Sequence, residues 1–149
     1  MKRVNRLLAI VLIVLVAILF YRNTPRSDKP VKSEPAKVES VLGTELNRVT
    51  LTAKAAERLD IQTVPVRKEW VALSGRVQTV VPYSSVIYGL HGETWVYTSP
   101  EPLTFVRHSI IIDYIDADLA VLSDGPPLGT LVVTVGVAEL YGIDTGVGK

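Results

Sequence analysis

The 149-residue chain contains no cysteine, a single methionine, two histidines and only 7% aromatic residues. Without cysteine it has no disulfide framework, no cysteine–zinc site, no thiol nucleophile and no lipidated N-terminal cysteine. With Met1 as its only methionine it lacks the soft thioether ligands that copper or silver handling requires. His91 and His108 stand at unrelated positions and form no ligand spacing, so each is read as a surface histidine. There is no G-x-G-x-x-G, no P-loop and no G-x-S-x-G around Ser84 and Ser85, which leaves nucleotide and hydrolase chemistry without a motif. No stretch interleaves clustered Lys/Arg with aromatics, which excludes a nucleic-acid partner. Asp113, Asp116 and Asp118 fall within six residues, but they lack the glycine and terminal glutamate of a calcium loop. Asp116-Ala117-Asp118 reads as a turn.

What is present is a strong apolar run and a lopsided charge. Residues 1–40 carry eight Lys/Arg against three Asp/Glu, and residues 41–149 carry eight against twelve. Lys2, Arg3 and Arg6 precede the run Leu7 to Phe20, and Tyr21 and Arg22 close it. Cations ahead of an apolar segment stay cytoplasmic, which sends the following chain outward. At 14 residues the run spans roughly 21 Å as a helix, against a hydrocarbon core of about 30 Å. That length also suits a signal-peptide core, so a cleaved leader is the competing reading. No small-x-small cleavage site follows, and Arg6, Tyr21 and Arg22 can anchor and snorkel at the interfaces. The expectation is an uncleaved signal anchor over residues 1–22, with Leu7 to Tyr21 in contact with the lipid bilayer. Such an anchor makes a single-pass membrane protein with its N-terminus cytoplasmic and its C-terminal domain extracytoplasmic. Residues 23–40 hold three prolines and many charges with almost no apolar residues, and read as a disordered linker.

From Val41 onward β-branched residues alternate with turn formers, which points to one mainly β domain over 41–149, a small barrel or roll with one short helix. The helix is expected from Thr52 as N-cap through Ala53 to Leu59. Strands are expected at Ile61–Arg67, Val71–Val80, Ser85–Tyr88, Thr94–Thr98, Leu103–Ile112, Leu119–Leu122 and Leu131–Val135. Gly89 to Gly92 reads as a hairpin turn, Ser99 to Pro102 as a turn, and a bulge near Arg107 and His108 would reconcile the two parities of the long strand. Trp95 and Tyr97 share a strand face, with Tyr83 and Tyr88 nearby in sequence; aromatics at period two can line a sugar or lipid site, but packing in the core or on the sheet surface is the preferred reading.

Val81-Pro82-Tyr83-Ser84-Ser85-Val86-Ile87-Tyr88 followed by Gly92-Glu93-Thr94-Trp95-Val96-Tyr97 resembles the C-terminal portion of bacterial membrane-fusion proteins, the periplasmic adaptor subunits of efflux and export systems. Gly125-Pro126-Pro127-Leu128-Gly129-Thr130, then Val132 to Gly136 and Glu139-Leu140-Tyr141-Gly142, is similar to that family's ending. Ala53 to Ile61 is similar to the opening of its barrel, with Asp60 where glycine is usual; Asp tolerates the left-handed backbone that position needs. The resemblance covers roughly residues 49–142. The lipoyl-like domain and long helical hairpin of a full adaptor have no counterpart here, so their roles do not transfer. The resemblance implies no enzymatic activity, no cofactor and no metal. It implies a partner, an inner-membrane transporter, contacted through a surface that includes Tyr83, Trp95, Tyr97 and Glu101, with a homo-oligomer left open. The alternative is a stand-alone cell-envelope module that binds a glycan, lipid or small ligand on an adaptor-derived fold.

Overall fold

The computed structural model describes residues 34–146. The expected signal anchor, and the linker as far as residue 33, lie outside them. Among the described residues no helix is long and apolar enough to cross a membrane.

Thr52 opens helix α1 (Ala53–Arg58) as expected, its hydroxyl accepting from the Ala55 amide at 3.2 Å. The exit is a Schellman turn. Ile61 N–H donates to Ala56 O and Asp60 N–H to Glu57 O, both at 3.1 Å, with Asp60 at φ 49°. The short Asp side chain is one of the few that accept that backbone.

Around this helix the chain is mainly β. The strands are β1 (Ala36–Ser40), β2 (Asn47–Leu51), β3 (Gln62–Pro65), β4 (Arg67–Val71), β5 (Arg76–Pro82), β6 (Ile87–Tyr88), β7 (Thr94–Glu101), β8 (Thr104–Asp116), β9 (Leu119–Asp124) and β10 (Leu131–Val135). A 3-10 turn spans Tyr83–Ser85, and a second helix, α2, spans Val137–Thr145. The hydrogen-bonded path runs β3-β10-β7-β8-β9-β5-β4. Its two ends, β3 and β4, are separated in the chain by Val66 alone, so the path starts and finishes on one stretch of backbone and the sheet curls into a barrel-like form. One buried cluster takes side chains from five strands of this circuit and from Val66, where its two ends meet. It comprises Val66, Val81 (β5), Val96 (β7), Ile110 (β8), Ala120 and Leu122 (β9) and Val132 (β10). Side chains from all these strands can meet only on the concave side of the curl.

A second cluster lies on the opposite face of β7 and β10. There the β1–β2 hairpin, α1 and α2 pack Val49, Leu51, Ala55 and Leu140 against Tyr97, Phe105 and Val133. Burial of Val132 and Val133 on opposite faces explains why the last strand is apolar at both parities.

Several expectations are not met. A second helix, α2, is present where one short helix was expected, and the expected Ile61–Arg67 strand breaks at Val66 into β3 and β4, which pair with different neighbours. The linker does not reach Ser40, because Ala36–Ser40 pairs antiparallel with β2, Val38 opposite Val49. The run Val71–Val80 is not one strand: Gly75, at φ 63°, donates its N–H to Val71 O and folds it into the β4–β5 hairpin. The expected Ser85–Tyr88 strand is shortened to Ile87–Tyr88 by the 3-10 turn, in which the Ser85 hydroxyl donates to Pro82 O at 2.6 Å. The β7–β8 turn falls on Pro102 and Leu103 rather than Ser99–Pro102, with Leu103 at φ 60°. Finally, β8 runs in register past Arg107 and His108, and its irregularity lies instead at Ile111–Tyr114, where it passes from β7 to β9.

Candidate functional site

The Gly89–Gly92 turn forms as expected and sets Ile87 opposite Trp95 and Tyr88 opposite Thr94. This hairpin and the preceding 3-10 turn bring Tyr83 and Tyr88 side by side, their hydroxyls 3.5 Å apart. Both rings stand at the surface, Tyr83 44% and Tyr88 53% exposed. The hydrogen bond from Tyr88 to Tyr83, with a smaller contribution from desolvation, raises the Tyr88 hydroxyl above the ordinary tyrosine range. Tyr88 forms one wall of an open groove of about 610 Å³, lined also by Ser84, Ile87, Val135, Glu139 and Tyr141. On its other side Tyr88 borders a second groove of about 530 Å³, with Glu93, Thr94, Ser109 and Ile111. The Glu93 carboxylate accepts backbone N–H groups, its own and that of His91 (2.9 Å), which hold it below the usual carboxylate range and order the hairpin tip.

The four residues expected to dock a partner do not form one patch. Tyr83 lies beside the groove. Glu101 is exposed at the opposite end of β7 from Thr94, roughly 20 Å away along the strand. Trp95 is half-buried, with the Arg107 guanidinium over its ring at 5.4 Å to the centroid. Tyr97 is fully buried. Its hydroxyl donates to Asp144 Oδ2 at 2.6 Å, and Asn47 Nδ2 donates to Asp144 Oδ1 at 3.0 Å. Arg107 Nε lies 2.7 Å from Asp144 Oδ2, but its N–H does not point along a hydrogen bond, so the two meet as an ion pair only. Burial, then the bond to Asp144, pushes the Tyr97 hydroxyl well above its ordinary range. Tyr97 therefore holds α2 to the sheet and cannot reach a partner in this fold, because it is packed beneath α2 with Leu140 and Asp144.

The remaining polar candidates stay separate. Asp116 Oδ2 accepts the Leu73 amide at 3.3 Å, and His91 and His108 are exposed at different places. Among the described residues no group of three or more His, Asp or Glu is placed to hold a metal ion. Sequence reasoning missed Glu139 and Tyr141, which reach the groove only because residues 137–145 are helical. It also missed an exposed apolar patch on the β4–β5 hairpin, where Trp70 faces Val77 across the strands and Leu73 caps the tip.

No protein-family model, no curated protein and no solved structure matches the chain.

Proposed function

We propose that this chain is a membrane-anchored extracytoplasmic adaptor-like protein that acts with an efflux or export transporter through protein–protein contacts, and that Tyr83 and Tyr88 are the centre of the docking surface. The observation that carries the reading is the exposed tyrosine pair beside an open, partly apolar groove. Tyrosines offer large contact area with a polar tip and little rotamer entropy to lose, and they are enriched where binding energy concentrates. The resemblance over residues 49–142 supplies the class of partner. The basic and apolar N-terminal pattern supplies the means of staying near it, since tethering at a membrane raises effective concentration at a membrane-embedded partner. Trp95 contributes by keeping Arg107 in place, and Glu101 belongs to a separate surface at the far end of β7.

A Tyr83→Ala/Tyr88→Ala variant of the full chain tests this. Affinity capture from native membranes is expected to lose the transporter while the far-ultraviolet spectrum of the protein is retained. Unchanged capture would contradict the docking role.

The composition of the same groove favours one second reading. Tyr88 and Tyr141 beside Glu139 give aromatic faces next to a carboxylate, a combination that also suits an envelope glycan. Retention on immobilised envelope polysaccharide, lost in the same double variant, would move the assignment to a stand-alone binding module.

A further inference from the structure

The outermost strand of the sheet has an open edge whose chemistry is complementary to itself. Among the described residues β1 pairs only with β2. Thr52 N–H donates to Pro35 O at 3.0 Å and Val41 N–H to Leu46 O at 2.9 Å, which fixes the odd-numbered residues of this stretch as those whose backbone groups face β2. In an antiparallel ladder the alternate residues point the other way. The N–H and C=O groups of Ala36, Val38 and Ser40 are therefore directed at the free edge. Four of the five side chains of β1 are exposed.

We propose that β1 pairs antiparallel with β1 of a second copy about a two-fold axis through Val38. Under that dyad Val38 faces Val38 and Ala36 faces Ser40, and each of these edge-directed pairs exchanges both backbone hydrogen bonds. Lys37 then stands opposite Glu39 of the other copy, and Glu39 opposite its Lys37, in the wide pairs where facing side chains come closest. Within one chain Lys37 Nζ and Glu39 Oε1 lie 2.8 Å apart on the exposed face, so both charged groups are already on the side where the exchange takes place.

A lysine on an edge strand ordinarily discourages pairing. Here the order of residues converts it. A dyad at Ala36 would set Lys37 against Pro35, and one at Ser40 would set Glu39 against Val41. Only the dyad at Val38 matches opposite charges. On the other face the two Val38 side chains, each 38% exposed in the single copy, would cover one another beside Val49. The pairing involves a different edge from the tyrosine groove and does not depend on the transporter reading.

The natural absence of cysteine makes the test direct. Facing residues in a hydrogen-bonded antiparallel pair have Cα atoms about 5.5 Å apart, inside the range a disulfide spans. Full-length Val38→Cys in detergent under mild oxidation is expected to run as a covalent dimer on a non-reducing gel. Leu42→Cys, 99% exposed but beyond the strand, is expected to stay monomeric. In the cysteine-free protein, Lys37→Glu or Glu39→Lys alone sets like charges opposite each other twice across the axis. Either is expected to weaken the dimer roughly tenfold in sedimentation equilibrium, and the double exchange Lys37→Glu/Glu39→Lys is expected to restore it. A monomeric Val38→Cys, as when a strand of some other protein occupies this edge, overturns the proposal. So does equal crosslinking at Leu42→Cys, or a double exchange that fails to rescue.

Discussion

Replacing Tyr97 by Phe isolates one buried hydroxyl and leaves the ring in place. In the folded chain that hydroxyl donates to Asp144 Oδ2 at 2.6 Å, with Tyr97 fully buried and Asp144 4% exposed. A hydrogen bond to an ionised group contributes about 1.5–3 kcal/mol. Asp144 keeps the Asn47 amide and the Arg107 charge in the variant, so the loss should fall near 2 kcal/mol, or roughly 10 °C in Tm for a domain of this size. The alkaline limb provides a second, independent readout. Because the Tyr97 hydroxyl is held above its ordinary range, the folded chain retains that proton at pH values where the unfolded chain has released it. Stability is then complete below about pH 10 and declines above it, by up to ~1.4 kcal/mol per pH unit for this one group. Urea unfolding at pH 7 and between pH 9 and 11 would show both effects. The phenylalanine variant should be weaker at pH 7 and should lose less on going alkaline. A variant within about 0.5 kcal/mol of the parent at pH 7, with the same alkaline slope, would refute the reasoning.

Asp144→Ala should cost more than Tyr97→Phe, about 3–5 kcal/mol, because it strands the Arg107 charge, the Tyr97 hydroxyl and the Asn47 amide together; urea midpoints compare the two. Gly136→Ala should destabilise by at least ~2 kcal/mol, since Gly136 sits at φ 83° and a Cβ there would come within 2.2 Å of Ile61 Cδ1; calorimetry measures it. Glu93 should titrate below an ordinary glutamate by NMR, so its contribution to the hairpin is present at neutral pH and lost only as pH falls through that lowered value; an unshifted midpoint would remove the two amide bonds from the account.

Local chemistry made parts of the fold readable in advance. Thr52 ahead of an alanine-rich turn, Asp60 at a left-handed exit and the glycines around His91 each fix their own backbone, and each behaves as its residue type requires. The failures came where tertiary contacts outweigh composition. Ala36–Ser40 has the charged make-up of a linker and becomes a strand only because β2 offers it a ladder. Val137–Thr145 carries Gly142 and several β-branched residues, poor material for a helix. What holds it is the i, i+4 pair Leu140 and Asp144, one buried in the core cluster and the other bonded to Tyr97 and Asn47. The burial of Tyr97 follows from that helix. Alternation correctly puts Trp95 and Tyr97 on the same face of β7, but nothing local announces that α2 lies over Tyr97. Tyr83 stands at the surface on the 3-10 turn between β5 and β6.

Crosslinking the tagged full-length protein in its native membrane, with a photoreactive group at Tyr88, tests the transporter reading most directly. Mass spectrometry is expected to identify an integral-membrane transporter as the dominant adduct. Adducts confined to envelope polymers or lipids, with no transporter among them, would contradict it.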